Sequence, residues 1–245
     1  MIRRALSLLC ATLGTLLAVP VTAAAAAPDP VIIVNGTFGP EFFYEPLAAR
    51  LRHDGHRVFI FQLTNLGTGD IALTSRDLGA FVAGVRTTTG AARVDLVGHS
   101  QGGLVARHYV KFLGGSSTVD SLVSLGSPHY GTAIANLAAF FGAGNCIGIV
   151  ACQQMAVGSE FLADLNAGDD TIGSVRYTNL YTLYDELVRP IANATLRDGA
   201  TNVLVQSQCP LRVVDHLGLA LDGTVYDGIH DALRGAPVSL NCWAV

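Results

Sequence analysis

The sequence predicts an α/β protein built on a mostly parallel, doubly wound sheet with helices on both faces. Three observations predict it. Apolar runs such as Val31-Ile32-Ile33-Val34 and Val119 to Leu125 are continuous rather than alternating, as expected of strands covered on both sides. Segments with apolar residues at helical spacing lie between such runs, and strands that alternate with helices in this way need parallel crossovers. Half of the 245 residues are hydrophobic and 14% are charged, which supports one sizeable core and leaves no room for two comfortable domains.

Taken in order, the chain starts with Arg3 and Arg4, an apolar run from Ala5 to Val19, Pro20 and an alanine tract from Ala23 to Ala27. A basic start, a hydrophobic run and a small-residue cleavage zone read as a signal peptide over 1–27. Removal would leave 28–245 as a single domain outside the cytoplasm. The run is short for a membrane anchor and ends in small residues, so no transmembrane segment is expected in the mature chain.

Val31–Val34 reads as a central strand, and Asn35-Gly36-Thr37-Phe38-Gly39-Pro40 as a tight turn. A helix follows from Phe42 to His53, with Phe43, Leu47, Ala48 and Leu51 on one face. Arg57 to Leu63 forms the next strand. Asp70 is placed to cap a helix on which Leu78, Phe81, Val82 and Val85 recur at helical spacing. Val119 to Leu125 is a further strand, Val175 to Leu183 another, and Asn202 to Gln206 the last. Gly223 to Leu233 closes the chain as a helix. Between His129 and about Gly173 the alternation lapses, and the apolar segment Ala133 to Phe141 lies there. A stretch this long near a strand end reads as a lid or wall of a site, 129–173, against the alternative of a buried core helix.

The chain is organised around Val94-Asp95-Leu96-Val97-Gly98-His99-Ser100-Gln101-Gly102-Gly103-Leu104-Val105. It reads as a buried strand, a turn of small residues and a helix start. The turn spells G-x-S-x-G, which in this strand-to-helix context matches the nucleophile elbow of α/β-hydrolases. Ser100 is then the nucleophile. A serine hydroxyl needs a base to take its proton as it attacks. The partners of such a serine follow it in the order acid, then histidine. His53, His56 and His99 come too early, His108 sits on the following helix, and His129 leaves no room for an acid before it. His216, in a loop beyond the last strand, is favoured over His230, which falls inside a helix. The acid belongs in the loop after the strand ending near Leu183, which selects Asp185. Glu186 is the alternative if the register differs by one, and Asp198 and Asp215 are weaker candidates. The oxyanion donors are expected at the backbone N–H of Gln101 and of Thr37. Asn35-Gly36-Thr37 and Asn193-Ala194-Thr195 are also formal glycosylation sequons, and the first is expected to be unused because its loop packs on the site.

Cysteine count points to an oxidising compartment. Beyond the leader four remain, Cys146, Cys152, Cys209 and Cys242, which suggests two disulfides. Cys146–Cys152 and Cys209–Cys242 are the favoured pairs, with loop-closure contributions of ~2.5 and ~4 kcal/mol as upper guides. No metal-ligating spacing accompanies them. The net charge of −4, with no basic cluster, argues against a nucleic-acid partner.

Val31 to Gly39, Gly98 to Gly103, Ser127-Pro128-His129-Tyr130-Gly131-Thr132, Tyr177 to Asp185 and Asp215-His216-Leu217-Gly218 together resemble the lipase class 2 family. These are small secreted bacterial lipases, similar in plan to the minimal Bacillus-type lipase. The resemblance implies a six-stranded minimal α/β-hydrolase sheet and hydrolysis of carboxylic esters, acylglycerols included. It also implies Ser100, Asp185 and His216 as the triad, with Thr37 and Gln101 at the oxyanion positions. Asn35 departs from the family's common histidine, and the cysteine-stapled segment after His129 is longer than in its most compact members. The sequence therefore leads to a secreted, monomeric serine esterase or lipase without cofactor or metal, acting on small or lipid esters at a lipid–water interface. An acyltransferase, a polyester depolymerase and a non-catalytic binding protein on the same fold are the other readings.

Overall fold

The structure is a computed structural model that describes residues 28–133, 136, 140, 142, 146 and 148–245. The expected leader, 1–27, and most of the apolar segment Ala133 to Phe141, Phe141 included, lie outside the described residues. Six strands form one parallel sheet: β1 (Val31–Val34), β2 (Val58–Phe61), β3 (Val94–His99), β4 (Val119–Leu125), β5 (Arg176–Tyr181) and β6 (Thr201–Leu204). Their order across the sheet is β2-β1-β3-β4-β5-β6. The two strands that carry the expected oxyanion loop and the elbow are therefore neighbours, with Val34 opposite Gly98.

Side chains alternate across a strand, and the alternation divides the apolar residues of the central strands between two cores. Ile32, Val34, Leu96 and Leu122 face one side. There they meet α2 (Ile71–Thr89) through Leu78, Val82 and Val85, and α3 (Gln101–Phe112) through Leu104, Val105 and Tyr109. Two short helices, α4 (Val150–Gln154) and α5 (Glu160–Leu165), complete that layer. Val31, Ile33, Val97 and Val123 face the other side. Their cover is α1 (Glu41–His53), with Tyr44, Leu47, Ala48 and Leu51 buried, and α7 (Gly223–Leu233), with Val225, Ile229, Ala232 and Leu233 buried. The continuous apolar runs in the sequence have this double burial as their cause.

Local signals place the ends of these elements. The Asp70 carboxylate accepts from the Leu73 N–H at 2.8 Å, so the expected cap is formed. The strand expected over Asn202 to Gln206 starts one residue earlier and is shorter. After Leu204 the chain turns into α6 (Val205–Gln208), because the Gln206 side chain bonds Thr182 Oγ1, the Leu183 N–H and the Arg212 carbonyl. Cys146 is bridged to Cys152 and Cys209 to Cys242, the two favoured pairs. Among the described residues no helix is long and apolar enough to cross a membrane.

Candidate active site

The elbow forms because small residues allow it. Ser100 sits at φ 55°, ψ −125°, a backbone conformation that costs a non-glycine residue about 1–3 kcal/mol. Its N–H is held by the Leu125 carbonyl at 2.8 Å, at the end of β4. A Cβ on Gly102 would overlap the carbonyl oxygens of Val34 and Asn35, so only glycine lets α3 start this close to β1. Gly98 faces Gly103 across the turn under the same constraint.

The loop after β5 carries Asp185 and the loop after α6 carries His216. Their side chains meet, with His216 Nδ1 2.8 Å from Asp185 Oδ2 and both buried. A carboxylate only accepts, so Nδ1 bears the proton and Nε2 is left with a lone pair. Nε2 has no hydrogen-bond partner among the described residues. The other carboxylate oxygen, Asp185 Oδ1, accepts from the backbone N–H groups of Leu187 (2.9 Å) and Val188 (2.7 Å), which fixes the carboxylate's orientation. Ser100 and His216 line one apolar cavity of about 180 Å³.

The alternatives to Asp185 sit elsewhere. Glu186 Oε2 accepts from the backbone N–H of His216 at 3.1 Å, so it holds the histidine's loop and not its ring. Asp215 accepts from Gly218 N–H, and Asp198 from Asp170 N–H. His230 lies partly exposed on α7, 3.7 Å from Asp54. His129 is buried against Asn179 and is not among the residues that line the cavity.

On the side of β1, Thr37 and Gln101 are brought together. Thr37 Oγ1 donates to Gln101 Oε1 at 2.5 Å, which pins the loop after β1 to the first turn of α3. The backbone N–H groups of both residues have no backbone partner among the described residues. The N-terminus of α3 adds its dipole to this corner. Asn35 is fully buried, and its amide donates to Gly39 O and Gln62 Oε1, so the first sequon is inaccessible.

Two features escaped sequence reasoning. Gly36 N–H donates to Tyr44 Oη (2.7 Å), which lies 2.8 Å from His99 Nδ1, while His99 Nε2 lies 3.0 Å from the His216 carbonyl. A carbonyl only accepts, so the His99 proton is on Nε2 and the Tyr44 hydroxyl donates to Nδ1. Burial, with the nearby His216 adding to it, holds His99 neutral down to about pH 3. The second feature is Gly126, just after β4 at φ 55°. A Cβ there would stand 2.7 Å from Leu219 Cδ1 and 3.0 Å from Asp185 Oδ2. The sequence signal for it was a lone glycine directly after a strand.

The profile of the family described as lipase (class 2) matches residues 28–219. A triacylglycerol lipase of Pseudarthrobacter phenanthrenivorans is 32% identical over 119 residues, 46% of this chain and 37% of that protein. Lipase B of Pseudozyma antarctica is 27% identical over 218 residues, 84% of this chain and 61% of that protein. The matches thus span about a third of the triacylglycerol lipases and three fifths of lipase B. In fold, Aspergillus fumigatus lipase B superposes with a TM-score of 0.72 at 21% identity, covering 86% of this chain and 54% of that one. The mature Bacillus licheniformis lipase BlEst2 gives 0.65 at 19% identity, over 82% and 90%.

Proposed function

The chain belongs to the lipase (class 2) family, and on that premise we propose that it is an exported serine hydrolase of carboxylic esters. Ser100 is its nucleophile, His216 its base and Asp185 the acid that orients the base. The carrying observation is the His216 ring itself, bonded at Nδ1 to Asp185 and unpartnered at Nε2 in the cavity that Ser100 lines.

Ser100 Oγ attacks the ester carbonyl carbon while its proton passes to His216 Nε2. The imidazolium is stabilised by Asp185, which stays ionised. Charge developing on the carbonyl oxygen is met by the N–H groups of Thr37 and Gln101, each donor worth about 3–4 kcal/mol of barrier. Collapse of the adduct breaks the bond to the alcohol oxygen, which takes the proton from His216 and leaves. Water then adds to the acyl-enzyme, giving its proton to His216, and the acid is released as Ser100 regains a proton. No metal or cofactor is needed for these steps.

The mouth of the cavity supports an apolar ester, since Phe38 and Leu217 line it and are both partly exposed. The two disulfides support export, because such bridges persist in oxidising compartments. We test the assignment by replacing Ser100 with Ala. Hydrolysis of p-nitrophenyl esters should vanish while the circular dichroism spectrum and melting curve stay those of a folded chain. Retained turnover would refute it.

A further inference from the structure

Two compartments meet at Ser100. One, of about 180 Å³, is walled by Pro40, Phe43, Tyr44, His216 and Leu217. The other, of about 20 Å³, is walled by Pro128, Thr132, Met155, Leu187 and Val188. Thr37, Ser100 and Phe140 border both. From this asymmetry, and resting on the serine-hydrolase reading above, we infer that the substrates are short-acyl esters of large apolar alcohols.

The assignment of each compartment follows from where the proton must go. In an adduct on Ser100 the oxyanion faces the Thr37 and Gln101 N–H groups. The leaving oxygen faces His216 Nε2, because that nitrogen delivers its proton. The alcohol therefore occupies the compartment that His216 lines. The acyl chain takes the other one. By the same measure the acyl compartment has about one ninth of the volume of the alcohol compartment, so a lengthening acyl chain runs out of space first.

The small compartment is also braced against widening. Thr132 N–H donates to the Met155 carbonyl at 3.0 Å, and Thr132 Oγ1 donates to the Leu187 carbonyl at 2.6 Å and accepts from Arg189 N–H at 2.9 Å. Leu187 and Val188 in turn give their N–H groups to Asp185 Oδ1. A longer acyl chain that pushed this wall outward would disturb the carboxylate that orients the base. Long acyl groups are thus penalised in kcat as well as in KM.

Two ester series on the full chain test this: p-nitrophenyl esters from acetate to octanoate, and acetates of alcohols from ethanol to octanol. The expected result is a fall in kcat/KM of at least tenfold from butyrate to octanoate, with no fall along the alcohol series. Met155→Ala, and separately Leu187→Ala, should each raise the octanoate-to-acetate ratio at least tenfold. Wild-type preference for octanoate, or an unmoved ratio in folded variants, overturns the inference alone. Absence of turnover in both series, with no labelling of Ser100 by a small phosphonate, overturns the hydrolase reading and this inference with it.

Discussion

The Nε2 proton of His99 is given to the backbone carbonyl of His216, at 3.0 Å. With Glu186 on the His216 N–H and Asp185 on its Nδ1, the proposed base is held at three points by two elements, the end of β3 and the loop after β5. His99, next to the proposed nucleophile, thus fixes the proposed base through its main chain, and Tyr44 joins the same network to Gly36 beside Thr37.

His99 should therefore act as a positioning residue. His99→Phe keeps an aromatic ring but loses both hydrogen bonds, each worth about 1 kcal/mol. We expect kcat to drop roughly tenfold with a smaller change in KM, and His99→Gln, which can still donate and accept, to recover part of the loss. Steady-state kinetics on one soluble ester check this. Equal kcat in wild type and His99→Phe would speak against it.

Gly126→Ala combines a positive φ with a Cβ aimed at Leu219 and Asp185 Oδ2. Overpacking of this kind costs about 1–3 kcal/mol, and the strain falls on the Asp185–His216 pair. Ester turnover should fall at least tenfold in protein that still melts cooperatively. Full activity in the variant would show that the pair tolerates displacement.

Arg107 is fully buried on α3, with its guanidinium shared among Asp170, Asn166 and the Leu165 carbonyl. Removing one member of a buried ion pair costs about 3–5 kcal/mol, because the other charge is left without a partner. Arg107→Met should lower Tm by on the order of 10 °C. The double variant Arg107→Met with Asp170→Asn should recover part of that loss. A change of Tm within a degree or two in the single variant would contradict this.

The buried Asp95 carboxyl is raised to about 7 by burial first, and then by the nearby Asp29 and Asp120 carboxylates. Its folded value lies above its unfolded value near 3.8, so the native state binds the extra proton. The stability this brings is present below the unfolded value and is lost as pH rises from about 4 through about 7. His99 works in the opposite sense. Its folded value of about 3 lies below the usual 6.5, so stability is lost as pH falls through that window. Asp95→Asn keeps an acceptor for the Ser121 N–H and should remove the loss on the alkaline side. Urea melts of wild type and variant at pH 5 and pH 8 should show the variant gaining relative stability at pH 8. A constant difference at both pH values would contradict the assignment.

The fold was legible because its signals are local. Continuous apolar runs gave the central strands, Asp70 gave a cap, and Gly98-His99-Ser100-Gln101-Gly102 gave the elbow. Chain order points to Asp185 and His216 as partners, and their side chains lie 2.8 Å apart. What could not be read depends on side chains far apart in sequence. Tyr44 lies outside the helix face read from the sequence, yet its hydroxyl bridges Gly36 and His99. Nothing local in the sequence marks Arg107, which is sealed by the 165–170 segment. Glu186 is the alternative to Asp185 by register, and in the structure its carboxylate takes the His216 N–H while Asp185 takes Nδ1. The end of β6 was misplaced because Val205-Gln206 has strand-like composition, whereas the Gln206 side-chain bonds turn the chain.

The central claim is that Ser100 is activated by His216. The most direct measurement is intact-protein and peptide mass spectrometry after reaction with a small organophosphonate. The account predicts one adduct per chain, located on Ser100, and at least a thousandfold slower labelling in His216→Ala. Labelling at another residue, or undiminished labelling of Ser100 without His216, would contradict it.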